Sequence, residues 1–264
     1  MLPSHDICTA QMMSEQFHRD GYILVPGLFA TDEIEILRRE AECDLRSSPV
    51  LTKTDRAGNK VTLKMWADAG DDIYGLVAKN DRIIAIVEKL IGEKIYLYSS
   101  KMIMKNARDG GAWEWHQDYG YWYNNGCLMP DMASCMIAVD RNLIENGCLQ
   151  VLHRSHNLGR QDHIRVGEQF VADPERVEAA TAAFERKHIV LEPGDALFFH
   201  CNLLHRSDAN TSDLRRWSFI CSYNAEHNRP FKTMRDYGHG EKLRSVPVDS
   251  IRDFAARKLK GGGR

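Results

Sequence analysis

From Lys94 onwards the chain is a succession of short apolar runs separated by turn residues, and this restricts the fold more than any other feature. Ile95-Tyr96-Leu97-Tyr98 and Lys101-Met102-Ile103-Met104 lead to the turn Gly110-Gly111. The series continues with Ala133 to Val139, Gly147 to Leu152, His188 to Leu191, Ala196 to His200 and Trp217 to Tyr223, with Pro193-Gly194-Asp195 as a further turn. Runs of this length, rich in β-branched and aromatic residues and bounded by glycine and proline, are strands. They predict a mainly β core over about 94–226. An inserted helix starts at Asp173-Pro174, where proline suits the first helical position, and continues to about Arg186. Residues 156–187 are therefore expected to form a helical lid insertion, whose His163, Arg165 and Lys187 can offer charge to an anionic substrate.

The preceding part, about 10–92, reads as mostly helical. A helix over 10–20 ends at Asp20-Gly21 and is followed by the apolar run Tyr22 to Val25 before Pro26. Ile34, Leu37, Ala41 and Leu45 share one face of a second helix, with Asp32 and Glu35 spaced as a capping box. A third helix covers 82–91 and stops at Gly92. Residues 47–62, with mixed charge, Pro49 and Gly58, are expected to be a loop. Residues 231–264 form a C-terminal tail, of which Lys258 to Arg264, with Gly261-Gly262-Gly263, is expected to fray. No repeat or linker interrupts this order, which predicts one domain over 1–264 with α-helices flanking an antiparallel β core.

Composition narrows the function classes. At 43% hydrophobic residues, the 264-residue chain can bury a sizeable core. A net charge of −2 without basic blocks gives no reason to expect nucleic acid or an acidic membrane surface as a partner. No apolar leader or membrane-spanning run is expected, and the seven cysteines include no CxxC pair. An odd set of unpaired thiols points to a reducing, cytoplasmic setting. Oligomeric state leaves no mark in the sequence.

The chemistry concentrates in Trp113-Glu114-Trp115-His116-Gln117-Asp118-Tyr119. In an extended segment His116 and Asp118 project to the same face, with Gln117 turned away. A His-x-Asp pair alone is commonplace, but His200 and His205 both lie far downstream in one segment. Either can supply the third ligand by chain position. Two histidines and a carboxylate leave open positions on a metal ion, as non-haem Fe(II) requires for a cosubstrate and O₂; zinc takes the same donors. Arg216, 11 residues beyond His205 and next to Arg215, is placed to meet a carboxylate with both guanidinium edges. The aromatic segment Tyr119-Gly120-Tyr121-Trp122-Tyr123 can wall a small substrate or pack beneath a loop.

The pattern His116-x-Asp118, Asn146-Gly147-Cys148-Leu149-x-Val151-Leu152-x-x-Ser155-His156, Pro193-Gly194-Asp195, and His205-x-Ser207 followed by Arg216 resembles the phytanoyl-CoA dioxygenase family over roughly residues 15–230. This family of Fe(II)- and 2-oxoglutarate-dependent oxygenases includes ectoine hydroxylase. The resemblance implies a double-stranded β-helix (jelly-roll) core. It also implies His116, Asp118 and His205 as iron ligands, which favours His205 over His200. Arg216 and Ser207 fall where the family holds the distal carboxylate of 2-oxoglutarate, and Ser134, Trp113 and Lys64 match further cosubstrate contacts. Trp122 aligns with an aromatic beside the substrate, and Gln117, Tyr119 and Tyr121 are its neighbours. Asp118 distinguishes the chain from halogenating relatives, which lack the carboxylate ligand. The implied function is hydroxylation of a small polar metabolite, an amine or phosphonate among the choices, with release of succinate and CO₂. The alternatives are hydroxylation of an acyl-CoA thioester and a non-catalytic, metal-retaining protein of cupin type.

Overall fold

The computed structural model describes residues 4–44 and 50–261. Its first part comprises helix α1 (Ser4–Asp20), strand β1 (Tyr22–Val25), α2 (Thr31–Asp44), β2 (Leu51–Thr54), β3 (Lys60–Trp66), α3 (Ile73–Ala78) and α4 (Asp81–Ile91). Then follow β4 (Ile95–Lys105), β5 (Trp113–His116), α5 (Asp118–Trp122), β6 (Met132–Ala138), β7 (Leu149–Leu152) and a 3-10 turn (Ser155–Leu158). The remainder is β8 (His163–Val166), β9 (Gln169–Ala172), α6 (Pro174–Ala183), β10 (Arg186–Ile189), β11 (Ala196–His200), β12 (His205–Ser207), β13 (Arg216–Ala225) and α7 (Ser250–Gly261).

Seven strands in the order β1-β11-β6-β13-β4-β3-β2 make the major sheet, and β10-β7-β12-β5 make the minor one. Every pairing within them is antiparallel. Alternation along the central strands explains how the layers assemble. On β13, Trp217, Phe219, Cys221 and Tyr223 face a helical layer and join Ile34, Leu37, Val77 and Val87 in the larger core. Ile220 faces the other way, into a second core with Met136, Leu149, Val151 and Phe199 between the sheets. Both faces are therefore covered, which is why β13 and β6 are buried along their whole lengths. Each buried aliphatic or aromatic side chain contributes about 1.5–3 kcal/mol. This is the jelly roll that the family resemblance implies, built on the antiparallel β core that the strand-rich sequence predicts, with helices on the outer face of one sheet.

Local sequence accounts for the helical layer. Asn80 caps α4 by accepting the Arg82 N–H at 3.2 Å, and Gly92 ends it with φ 88°, a backbone state suited to glycine. The capping pair at α2 is not Asp32/Glu35. Instead the Ala30 N–H donates to Glu33 Oε2 at 2.9 Å, and Glu33 also grips Arg82 bidentately, tying α2 to α4.

Two expectations need correction. The segment read as a loop over 47–62 carries, from Leu51, a hairpin that adds β2 and β3 to the edge of the major sheet. Positions 47–49 lie outside the described residues. Its mixed charge hides a period of two: Lys60, Thr62 and Lys64 alternate with Val61, Leu63 and Met65. Similarly, the C-terminal tail contains α7, whose Ile251 is buried in the larger core with Phe254 packed against it. Arg252 holds Asp32 of α2 through two bonds of 2.7 and 3.0 Å. Of the residues expected to fray, Lys258 to Gly261 continue α7, while Gly262, Gly263 and Arg264 lie outside the described residues.

Candidate functional site

His116 and His205 are register partners across β5 and β12. Asp118 opens α5, but Gln117 before it is still extended (φ −114°, ψ 137°). The alternation begun on β5 thus persists for one residue past the strand and delivers Asp118 to the face of His116. One donor atom from each of His116, Asp118 and His205 lies within 4.8 Å of the other two, and all three residues are buried. Such a group can hold a metal ion.

The surroundings prepare these donors. His116 Nδ1 donates to the Glu114 carbonyl at 2.7 Å and His205 Nδ1 to the Leu203 carbonyl at 2.9 Å. In each ring that leaves Nε2 with a free lone pair and fixes the ring's rotation. Burial pushes both imidazoles down from the ordinary histidine range, and the neighbouring His205 adds to the effect on His116. Asp118 Oδ2 accepts a bond from the Ser134 hydroxyl at 3.0 Å, and Ser134 shares a further bond of 2.9 Å with Ser222. His200 stays outside the cluster: its Nδ1 accepts the Asn202 N–H, and its ring packs between His156 and Phe17.

A cavity of about 140 Å³ opens from these donors into the space between the sheets. Arg216 enters it from the start of β13. This guanidinium is buried, makes one bond of 3.3 Å to the Asn142 side-chain oxygen, and has a buried Nε without a partner among the described residues. Burial pulls it down to about 10. A buried cation without a carboxylate is costly, and this guanidinium is open to an anionic partner. Ser207, two residues after His205 on β12, lines the same cavity, as do Trp113, Tyr121 and Trp122.

Other expected contacts lie elsewhere. Lys64 is on the opposite face of β3 from the cavity-lining Val61, Leu63 and Met65, and it pairs with Asp44 at 2.5 Å. Gln117 is fully buried as a brace: its amide donates to the Gly159 and Asn202 carbonyls and accepts the Gln161 N–H. Tyr119 is core, its hydroxyl bonded to the Cys127 carbonyl. The insertion contains the β8–β9 hairpin as well as α6. Its charged residues do not line the cavity: His163 Nε2 accepts the Gln117 N–H, while Arg165 and Lys187 bond locally. Three cavity lysines were not anticipated: Lys53, Lys101 and Lys105. The signal was present for two of them, because Lys101 and Lys105 alternate with Met102 and Met104, which face the helices.

A jelly roll that buries a two-histidine, one-carboxylate donor set beside an unpaired arginine defines a mononuclear non-haem oxygenase of the 2-oxoglutarate-dependent class. The profile of the phytanoyl-CoA dioxygenase (PhyH) family matches residues 17–218, and the chain belongs to that family. It is 25% identical over 255 residues to the L-proline trans-4-hydroxylase of Streptomyces griseoviridis, covering 90% of this chain and 95% of that one. It is 27% identical to the ectoine dioxygenase of Stutzerimonas stutzeri, covering 83% and 78%. Among solved structures, EctD from S. alaskensis with bound Fe superposes with a TM-score of 0.75 at 22% identity, over 93% of this chain and 88% of that one.

Proposed function

We propose that the protein hydroxylates an unactivated C–H bond of a small polar metabolite as an Fe(II)- and 2-oxoglutarate-dependent dioxygenase. The observation that carries this reading is the shared cavity of the His116, Asp118 and His205 donors and the unpaired Arg216. In it, the three donors would hold Fe(II), a donor set that suits binding of a cosubstrate and O₂. Arg216 receives the distal carboxylate of 2-oxoglutarate, assisted by the Ser207 hydroxyl. Lys105, the register partner of Arg216, stands at the same end, where burial and the Arg216 charge hold it well below the ordinary lysine range.

When bound, these cofactors and O₂ supply the oxidising equivalents, 2-oxoglutarate leaving as succinate and CO₂ while one oxygen atom enters the substrate. The protein's own contribution is placement and exclusion of water. The Nδ1 bonds fix both imidazoles, and Ser134 fixes the carboxylate. Met136, Leu149, Phe199 and Ile220 make the inner wall apolar. We assign Trp113, which the resemblance places among the cosubstrate contacts, to the substrate together with Tyr121 and Trp122; all three line the cavity and orient the reacting carbon. A small substrate is supported by the cavity's size and by the names of the two relatives, one acting on L-proline and one on ectoine. No helix among the described residues is long and apolar enough to cross a membrane.

The test is succinate formation from 2-oxoglutarate by purified protein with Fe(II) and O₂, in the presence of a pooled small-metabolite extract. The expected result is Fe(II)-dependent succinate that falls to background in His205→Ala. Equal succinate from the two proteins would contradict the assignment.

A further inference from the structure

The cavity carries more positive charge than a metal centre with an anchored 2-oxoglutarate would use. Of the described side chains that line it, Asp118 is the one carboxylate, set against Lys53, Lys101, Lys105, Arg206 and Arg216. Three of these cations have an assignment. Arg206 pairs with Asp208. Lys105 donates to the carbonyls of Ser207 and Asp208 and neighbours Arg216, the proposed anchor.

Lys53 and Lys101 remain. Lys101 has the Asp118 carboxylate at 3.8 Å, beyond hydrogen-bond length, and a metal ion on Asp118 would compete for that charge. Lys53 has no hydrogen-bond partner among the described residues. Its ammonium lies 5.7 Å from the centroid of the Trp113 ring. Burial and the charge of Lys101 both disfavour its protonated form, and Glu168 only partly offsets them. Glu168 is itself engaged by the N–H and hydroxyl of Thr54. The β2–β3 hairpin creates this arrangement. Lys53 is the register partner of Val61, and Lys101 of Met65, so both lysines face inward. Lys53 sits in the cavity without a hydrogen-bonded anion and Lys101 has only the long contact to Asp118, so a bound anion would recover free energy for both.

Resting on the oxygenase reading above, we infer that Lys53 and Lys101 form a clamp for an oxyanion on the substrate. The substrate class is then a small metabolite bearing a carboxylate or phosphonate. Its anion sits between the two ammonium groups, and its carbon skeleton lies against Trp113 and Tyr121, with a C–H bond turned toward the His116, Asp118 and His205 centre. Lys53 thereby selects the substrate without touching the cosubstrate.

Thermal denaturation of the full chain with Mn(II) and 2-oxoglutarate tests this without turnover. The probes are the proteinogenic L-amino acids, the corresponding 2-hydroxy acids, their carboxamides, and 1-aminoalkylphosphonates. An acid or phosphonate is expected to raise the melting temperature where its carboxamide does not, and which of the two does so identifies the oxyanion. Lys53→Met should raise the half-saturating concentration about tenfold or more, as loss of a charge-assisted bond does. Lys53→Arg should restore most of it, and stabilisation by 2-oxoglutarate alone should stay the same in both variants. The clamp is overturned if carboxamides match their acids, if Lys53→Met changes nothing, or if 2-oxoglutarate stabilises the protein and no oxyanion in the set adds to it. Failure of 2-oxoglutarate itself to stabilise the wild type would count against the oxygenase reading instead.

Discussion

His116 and His205 face each other with ring centroids 4.1 Å apart, and each donates its Nδ1–H to the carbonyl two residues upstream. Two imidazoles this close in a buried site cannot both be charged without strong repulsion. They are held as a neutral pair with their remaining nitrogens free, which is the state a metal needs. Replacing either His205 or Asp118 with alanine should therefore abolish Fe(II) binding and bring turnover to background, while the fold persists. Metal content after dialysis, with circular dichroism as the fold control, checks this.

Arg216 makes an opposite pair of predictions for binding and stability. Arg216→Ala should weaken 2-oxoglutarate by roughly 2–3 kcal/mol, the scale of a lost charged hydrogen-bond pair. Because the free protein loses a buried, unpaired charge, the variant should be no less stable than wild type. Arg216→Lys should recover little affinity, lacking the planar fork. Calorimetric titration with 2-oxoglutarate and a melting curve read the two effects separately.

Lys64 tests the placement of strand faces. Its partner is Asp44, on the side of β3 away from the cavity. Lys64→Ala should leave 2-oxoglutarate affinity unchanged and cost about 0.5–1 kcal/mol of stability, as loss of a partly buried surface ion pair does. A large loss of cosubstrate affinity would mean that the lysine reaches the site.

The brace at Gln117 predicts the reverse of a contact residue. Gln117→Ala removes three buried hydrogen bonds and should destabilise by about 2–4 kcal/mol. Affinity for 2-oxoglutarate, measured below the melting transition, should hold.

Acid should weaken the protein through its histidines. Burial lowers His116, His156, His163 and His205 from their ordinary range and brings His200 to about 3. Below about 6.5 the unfolded chain takes up protons that the folded one refuses, so stability is present above that pH and is lost as pH falls. Each such group contributes a slope of up to about 1.4 kcal/mol per pH unit. Urea unfolding of metal-free protein between pH 7 and pH 4 should show this steepening, and His200→Gln should flatten it. A flat profile for wild type would contradict the buried, neutral assignment.

What the sequence disclosed follows from how local each feature is. The His116-x-Asp118 face depends only on alternation through Gln117, so it was legible. Arg216 and Ser207 were legible once their spacing from His205 was set against a family pattern. Lys64, by contrast, is a cosubstrate contact only by family resemblance, and the pairing of β3 with β4 turns it to the opposite face, toward Asp44. Lys53 became a cavity residue for the same reason, since its orientation is decided by pairing with Val61 across β2 and β3. Gln117 and Tyr119 flank the metal ligands in sequence, but bonds to Gly159, Asn202 and Cys127 take their side chains into the surrounding structure. Those partners are remote in the chain or beyond any local period.

Anaerobic titration of the metal-free protein with Fe(II) and 2-oxoglutarate tests the central claim most directly, through the visible charge-transfer band that a chelated 2-oxoglutarate gives. The account predicts a band in wild type that is absent in Asp118→Ala and needs far more 2-oxoglutarate in Arg216→Ala. Folded protein that binds Fe(II) yet gives no band at saturating 2-oxoglutarate would contradict it, and would favour a metal-retaining protein without turnover.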